Sequence, residues 1–241
     1  EEFSMARGDT LANPAFLHND ELKKFNVISA NPPYSIKAWD RKSFENDPYG
    51  RNIWGTPPQN CADYAFEQHI DKSMDEENGR CVQLWPHGVL QRISEKEMRI
   101  NMIKSGSVEA VIGLGPNLFY NSAMDSCLLV RNNNKHKDRK GKVLFIDAHK
   151  LVVEEKNHSY LSLEHQNRIF NVYKNFSDVK GFSVVKSEEE ILSNSGSLKI
   201  TDYLKRPGNM DEALPLEEAF TKWFGSGDEL KKSLDKLFEV L

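Results

Sequence analysis

The sequence predicts an α/β protein in which a layered sheet is covered by helices and followed by a helical C-terminal extension. Two patterns lead to this fold class. Short runs of β-branched and other apolar residues alternate along the chain with longer segments whose apolar residues recur at helical spacing. Because each strand and each helix has an apolar side to bury, such alternation is typical of a sheet with helices on its faces.

The first predicted strand covers residues 26–30 and ends at two consecutive prolines, Pro32 and Pro33. Proline has no amide hydrogen to donate to a neighbouring strand, so a central strand cannot continue through these positions. Residues 35–60 follow as a long loop, because they are rich in Pro, Gly, Asn and Asp and show no periodicity. The next elements are predicted as helices at 62–74 and 95–104 and strands at 81–84, 108–114, 125–131 and 142–147.

The later boundaries lead to two expectations about how the elements are arranged. Only a short polar loop separates the strands at 125–131 and 142–147, which allows them to pair antiparallel as a hairpin. Beyond residue 150 the pattern changes to short helical segments at 163–173, 188–192, 216–223 and 228–241. We therefore divide the chain into a core domain, residues 1–150, and a C-terminal extension with helices, residues 151–241.

The composition argues against several classes of protein. A net charge of −4 argues against a stand-alone, non-specific nucleic-acid binder, which needs a broad basic surface. No apolar run reaches the length of a membrane span, so no membrane partner is expected. The three cysteines are far apart and lack metal-ligand spacing. They indicate reduced thiols in a cytoplasmic protein and no metal site.

The tetrapeptide Asn31-Pro32-Pro33-Tyr34 is the candidate catalytic motif, because it directly follows a predicted strand. In open α/β sheets, ligands bind outside the carboxyl ends of the strands. The Asn31 side chain and the Pro32 main chain each offer a carbonyl oxygen, and the consecutive prolines fix the backbone that carries them. Two acceptors bonded to an exocyclic amine localise the lone pair of its nitrogen and make it a better nucleophile. Tyr34 adds a flat face on which an extruded base can stack.

Further blocks accompany the tetrapeptide, and their order extends over roughly residues 3–205. In chain order they are Arg7-Gly8-Asp9-Thr10-Leu11, Asp47-Pro48-Tyr49-Gly50-Arg51, Ala62-Asp63-Tyr64-Ala65-Phe66, Leu84-Trp85-Pro86-His87-Gly88-Val89-Leu90, Ala110-Val111-Ile112-Gly113-Leu114, Asn117-Leu118-Phe119-Tyr120 and Lys140-Gly141-Lys142-Val143-Leu144-Phe145-Ile146-Asp147-Ala148. The series resembles the modification (M) subunits of type I restriction systems, which are N6-adenine DNA methyltransferases. A Pro-Pro turn that merely ends a strand would explain the tetrapeptide but not the blocks around it.

The resemblance implies a Rossmann-like methyltransferase sheet with S-adenosylmethionine as methyl donor and a flipped-out adenine as acceptor. It implies that Asp9 accepts a hydrogen bond from the adenine ring of the donor, with Thr10 and Leu11 beside it. An Asx turn is the alternative role for Asp9. The resemblance also makes Phe119 or Tyr120 a candidate second stacking face for the target base, whereas an aromatic residue in an apolar hairpin is more often part of the core.

Compared with the family pattern, the sequence lacks the N-terminal helical domain, the Gly-rich turn that cradles the methionine of the donor, and the acidic residue for the donor's ribose. The donor site is therefore expected to be incomplete, and this chain by itself to be inactive and to bind the donor weakly or not at all. The first strands of the sheet are missing too, so the strand ending at Ala30 should present an unpaired apolar edge. Such an edge favours a homodimer or a strand swap.

The sequence thus predicts the modification subunit of a type I restriction enzyme, a site-specific adenine-N6 methyltransferase of double-stranded DNA. Its expected partners are a specificity (S) subunit, which reads the DNA sequence, and a restriction (R) subunit. Two alternatives stay open. The same tetrapeptide suits the side-chain amide of glutamine in a protein substrate, although the blocks after residue 47 disfavour this. The other alternative is a non-catalytic assembly piece, which keeps the base pocket and the partner surface but has no donor site. Within the leading hypothesis, the C-terminal helix either docks on the specificity subunit or packs on its own domain.

Two more side chains within the blocks invite a functional interpretation. The segment from Asp47 to Arg51 is expected to order the loop over the site, and Arg51 itself is predicted either to contact DNA phosphate or to lie solvated in its loop. His87 has the position of a general base, but a pair of carbonyl oxygens already handles the amine. We therefore assign His87 a structural role.

Overall fold

The computed structural model describes residues 3–119, 124–155 and 159–205, together with a few positions between 220 and 231. It confirms the α/β class, because a mixed six-stranded sheet is accompanied by helices. In chain order the strands and helices are β1 Leu17–His18, β2 Glu21–Leu22, β3 Val27–Ala30, α1 Arg41–Glu45, α2 Asp63–Ser73, β4 Arg80–Pro86, α3 Lys96–Lys104, β5 Val108–Leu114, β6 Ser126–Asn132, β7 Lys142–Ala148, β8 Val153–Glu154, β9 Ser159–Tyr160, α4 Leu163–Asn175, β10 Ser183–Ser187 and α5 Glu188–Ser193.

Helices cover both faces of the large sheet. Successive residues of a strand point to opposite faces, and the buried residues of the central strands divide accordingly into two clusters. On one face, α3 and α5 pack against the sheet, in a cluster that includes Met102, Val111, Leu129, Phe145 and Ile191. On the other face, α4 packs in a cluster that includes Ile112, Val130, Ile146, Ile169 and Phe182. The sheet is therefore the middle layer of a three-layer core.

The order of strands in this sheet is β10-β7-β5-β6-β4-β3, and it corrects one expectation. The predicted hairpin of β6 and β7 does not form. Instead β6 pairs antiparallel with both β5 and β4, and β7 runs parallel to β5 on its far side. Nearly every residue of β5 and β6 is buried. Strands that are buried on both faces are typical of the interior of a sheet, and β5 and β6 each have a neighbour on both sides.

The strand β3 forms one edge of the sheet, as the sequence analysis expected. Within the described residues no strand pairs with its outer side, and Val27 is 67% exposed. Residues 3–9 form no strand. A cavity of about 330 Å³, lined by Ala6, Gly8, Phe16, Val27 and others, lies between this segment and β3. The outer edge of β3 thus faces this cavity instead of a neighbouring strand.

Residues 35–60 contain a short helix that the sequence analysis did not predict. The Asp40 side chain caps α1 and accepts hydrogen bonds from the main-chain amide of Ser43 at 2.9 Å and from its hydroxyl at 2.7 Å. Phe44 is buried and its ring lies 5.7 Å from that of Trp39. Five residues are too few to show helical periodicity, so only the capping residue gives a signal in the sequence.

Contacts divide the chain into two compact units, residues 1–204 and 205–241. Strands from both sides of residue 150 belong to the large sheet, and the division of the chain into domains at that position stays a prediction. Most of the predicted C-terminal helices, at 216–223 and 228–241, lies outside the described residues. Among the helices that are described, none has the length and apolar character needed to cross a membrane.

Candidate active site

The motif Asn31-Pro32-Pro33-Tyr34 lies directly after β3, where the sequence analysis predicted it. Because β3 and β4 are parallel, their carboxyl ends meet at the same edge of the sheet. A cavity of about 400 Å³ opens there, and all four residues of the motif line it, together with Pro86, Phe119, Met124, Asp125 and Ser126. The motif therefore faces an open cleft and is not merely a turn packed into the core.

The two polar side chains of the motif contact each other. The hydroxyl of Tyr34 donates a hydrogen bond to Oδ1 of Asn31 at 2.7 Å. Partial burial raises the pKa of Tyr34, which keeps the hydroxyl protonated and able to donate. The ring of Tyr34 lies 6.3 Å from the ring of Trp85, at an interplanar angle of 45°. The Asn31 oxygen is thereby oriented in advance and keeps a second lone pair for another donor.

Phe119 lies across the same cavity and is 36% exposed. Its neighbour Leu118 packs against the apolar cluster on the α4 side of the sheet. Of the two aromatic residues predicted as a second stacking face, Phe119 is thus placed at the cleft, whereas Tyr120 lies outside the described residues.

His87 lies next to this cavity, and its contact agrees with the structural role assigned to it. The Nε2 atom donates a hydrogen bond to the main-chain carbonyl of Ser126 at 3.0 Å. Ser126 is the first residue of β6 and pairs with Pro86 at the end of β4. The imidazole therefore links the two strands that form the floor of the cleft.

The residues predicted to bind the donor, Asp9, Thr10 and Leu11, form a turn. Oδ1 of Asp9 accepts hydrogen bonds from the main-chain amides of Leu11 at 2.9 Å and Ala12 at 3.1 Å, which is an Asx turn. Asp9 and Leu11 line a cavity of about 670 Å³ together with Trp39 and others. Thr10 lines the neighbouring cavity beside β3. The three residues are adjacent but face two different cavities.

Arg51 corrects both interpretations offered for it, since its side chain is only 2% exposed and its guanidinium is bound by acceptors within the protein. Its guanidinium forms a buried ion pair with Asp47, with Nη2 at 2.6 Å from Oδ1. It also donates to the main-chain carbonyls of Thr10 at 3.0 Å and Leu11 at 2.7 Å. Arg51 therefore stabilises the turn formed by the predicted donor-binding residues, because it binds two of their main-chain carbonyls.

His69 gives the protein a dependence of stability on pH. Its Nδ1 lies 3.4 Å from Nη1 of Arg51, and burial together with the charge of Arg51 lowers its pKa from 6.5 to about 4. Between these two values the unfolded chain binds a proton at His69 and the folded chain does not. The free energy of unfolding should therefore fall as pH drops from 6.5 towards 4, by about 1.4 kcal/mol for each unit between the two pKa values.

The substitution His69→Gln is expected to remove this part of the pH dependence. Urea denaturation of both proteins at pH 7 and pH 5 measures it, with the difference between the two pH values as the readout. The difference should be smaller in the variant than in the unmodified protein. Equal differences would show that His69 does not carry the effect.

Comparisons with known proteins point to one family. Residues 1–212 match the profile of the N-6 DNA Methylase family. The chain is 33% identical over 222 residues to the type I restriction enzyme MjaVIII methylase subunit of Methanocaldococcus jannaschii. The aligned region covers 88% of this chain and 38% of that relative. It is 35% identical over 152 residues to the type I restriction enzyme HindI methylase subunit of Haemophilus influenzae, covering 62% of this chain and 32% of the relative.

A solved structure agrees with these relatives. The crystal structure of the type I restriction-modification system methyltransferase subunit from Streptococcus thermophilus matches with a TM-score of 0.74 and 30% identity, over 82% of this chain and 41% of that one. The chain thus spans only about two fifths of the length of the relatives that it matches over most of its own residues.

Proposed function

Because the chain belongs to the N-6 DNA methylase family, we propose that it forms the base-binding part of a modification subunit that methylates the N6 amino group of adenine in double-stranded DNA. The observation that supports this most is the cleft after β3. It brings the oxygen of Asn31, the ring of Tyr34 and the ring of Phe119 to one open cavity. Two relatives that are named as type I restriction enzyme methylase subunits support the same function.

In this proposal an adenine leaves the duplex and its amino group enters the cleft, since a stacked base cannot reach it. Oδ1 of Asn31 and the carbonyl oxygen of Pro32 each accept one amino hydrogen. The hydrogen bond from Tyr34 to Asn31 and the fixed proline backbone hold these acceptors before the base arrives, so little reorganisation is needed. After methyl transfer the nitrogen carries an extra proton, which it releases to water.

We propose S-adenosylmethionine as the methyl donor, whose sulfonium supplies an electrophilic methyl group. The cavity beside α1 fits the adenine ring of this donor, because it combines the carboxylate of Asp9 with the apolar side chains of Leu11 and Phe44. The Asx turn uses Oδ1 of Asp9 as the acceptor of both amides. The second carboxylate oxygen can then accept from the donor's amino group, so both roles considered for Asp9 are compatible.

The partners proposed for the complete protein are DNA, a specificity subunit and a restriction subunit. This rests on the relatives, which are methylase subunits of type I restriction enzymes. The C-terminal helix predicted from the sequence at residues 228–241 is the segment proposed to dock on the specificity subunit.

The proposed function is tested by supplying the complete encoded protein, assembled with its specificity subunit, with S-adenosylmethionine that carries a labelled methyl group. DNA with the recognition site and a protein substrate with an exposed glutamine are offered separately. We expect label only in DNA, at N6-methyladenine after digestion to nucleosides. Label in the protein substrate instead would favour methylation of the glutamine amide and overturn the proposal.

The substitution Phe119→Ala is expected to weaken capture of the extruded adenine. Stacking of a base on an aromatic ring contributes roughly 1–3 kcal/mol, so kcat/KM for DNA should fall by about 5- to 150-fold. Steady-state methylation kinetics measure this, with Phe119→Tyr keeping the ring and most of the activity. Phe170→Ala is the matched control, because Phe170 is exposed on α4 and does not line the cleft. Equal kinetics of Phe119→Ala and Phe170→Ala would show that the base does not stack on Phe119.

A further inference from the structure

The loop that carries the motif is tied to α2 by a buried carboxylate. Ser35, the residue after Tyr34, donates its main-chain amide to Oδ1 of Asp63 at 2.6 Å. Ser35 has a φ of 51°, in the left-handed region that residues other than glycine rarely adopt. Such a backbone conformation persists only where its surroundings hold it. The hydrogen bond to Asp63 is the side-chain contact that holds it here, and the main-chain amide of Ala62 also donates to the carbonyl of Ile36 at 3.2 Å.

Asp63 is in turn fixed from its other side. Its Oδ2 accepts a hydrogen bond from Nη2 of Arg92, whose Nε donates to Glu95 at 2.6 Å. The side chains of Asp63 and Glu95 have no exposed surface, while that of Arg92 is partly exposed. Cys61, Asp63 and Glu95 are close enough to share a metal ion. The guanidinium of Arg92 already bonds both carboxylates and supplies the balancing positive charge.

The carboxylate of Asp63 is directed to the loop although it stands at the start of a helix. Asp63 is the first residue of α2, whose N-cap Ala62 has no side chain that can cap the helix. Instead of capping its own helix, Asp63 accepts hydrogen bonds from Ser35 with one oxygen and from Arg92 with the other. Hydrogen bonds from main-chain amides to a buried carboxylate are charge-assisted and stronger than neutral ones.

From this geometry we infer that Asp63 is a positioning residue of the active site. It fixes the main chain immediately after Tyr34 and thereby the places of the Tyr34 ring and the Asn31 oxygen. It is not among the residues that line the cleft or the cavities beside β3 and α1, so it acts through the loop and not by touching base or donor. This inference rests on the proposed function, because the loop matters only if the cleft holds the reacting amine.

The kinetic test compares three variants of the complete encoded protein. Asp63→Ala removes the acceptor of the Ser35 amide and should lower kcat by about 30- to 100-fold, with the Kd of S-adenosylmethionine changed less than about two-fold. Asp63→Asn keeps a carbonyl oxygen for that amide and should recover most of the loss. Glu95→Gln is the matched control, because it removes the other carboxylate bound to Arg92 without touching the loop. Its kcat should stay within about three-fold of the unmodified protein.

A purely structural role predicts a different pattern. Equal losses in Asp63→Ala and Glu95→Gln, or an unchanged kcat in Asp63→Ala, would overturn the inference. If Asp63→Ala does not fold, Asp63→Glu decides, since it keeps the pair with Arg92 but moves the acceptor by one methylene. Its kcat should fall by about ten-fold, and no fall would overturn the inference.

Hydrogen exchange separates this inference from the proposed function. The amide of Ser35 should exchange at least about ten-fold faster in Asp63→Ala or Asp63→Glu than in Glu95→Gln, whatever reaction the protein catalyses. Equal exchange rates would show that Asp63 does not hold the loop. If the unmodified protein transfers no methyl group to adenine while the exchange rates differ as expected, the proposed function fails and the anchoring of the loop stands.

Discussion

The substitution Asn31→Ala is expected to lower the rate constant of methyl transfer to adenine by about 10²- to 10³-fold, the loss typical when one preorganised hydrogen-bonding group is removed from an active site. Asn31 contributes one of the two acceptors that localise the lone pair of the amino nitrogen. The substitution also leaves the Tyr34 hydroxyl without its partner at 2.7 Å. Neither Asn31 nor Tyr34 lines the cavity beside α1, so the affinity for S-adenosylmethionine should stay within about two-fold.

Single-turnover methylation by the complete encoded protein measures this loss, and calorimetry measures the affinity for the donor. Asn26→Ala is the matched control, because Asn26 is exposed just before β3 and does not line the cleft. A single-turnover rate of Asn31→Ala close to that of Asn26→Ala would show that the Asn31 oxygen does not act on the reacting amine.

The substitution Arg131→Met is expected to lower the free energy of unfolding by about 3–5 kcal/mol, the cost of leaving a buried charge without its partner. Arg131 has no exposed surface and donates to Glu67 at 3.0 Å, to Ser107 at 3.0 Å and to Asp71. Burial raises the pKa of Glu67, and the charge of Arg131 opposes this shift. Without Arg131 the carboxylate of Glu67 must remain charged without a cation or take up a proton, and both outcomes destabilise the fold.

Urea denaturation at pH 7 measures the effect of Arg131→Met on stability. Lys24→Met is the control, since the ion pair of Lys24 with Glu76 is exposed on both sides and should contribute less than about 1 kcal/mol. The double variant Arg131→Met with Glu67→Gln should recover part of the loss, because it removes the unpaired charge. A loss in Arg131→Met no larger than that in Lys24→Met would contradict this account of the core.

The elements that the sequence predicted well are those whose own periodicity is strong. The strand at 108–114 has the bounds found for β5, and the helix at 62–74 exceeds α2 by one residue at each end. The pairing of β6 with β7 was wrong, because loop length alone does not decide which strands become neighbours. That choice depends on which strands the whole sheet buries in its interior, and no single segment of the sequence shows this.

The candidate site also contains a part that the sequence predicts and a part that it does not. The motif Asn31-Pro32-Pro33-Tyr34 was predictable because its chemistry lies in four consecutive residues at the end of a strand. The particular contacts of Arg51 and Asp63 were not predicted, because both residues bind main-chain atoms of distant segments. Arg51 holds the carbonyl of Thr10, 41 residues away, and Asp63 holds the amide of Ser35, 28 residues away. Main-chain donors and acceptors exist at nearly every residue, so no pattern of side chains marks these contacts.

The central claim is that the cleft after β3 binds the amino group of an extruded adenine. A crystal structure of the complete encoded protein with its specificity subunit, target DNA and a non-reactive donor analogue tests it most directly. The amino nitrogen of the target adenine should lie within hydrogen-bond distance of both Oδ1 of Asn31 and the carbonyl oxygen of Pro32, with the Tyr34 ring stacked on the base. A target adenine bound in another pocket, with Asn31 contacting only Tyr34 or solvent, would contradict the claim.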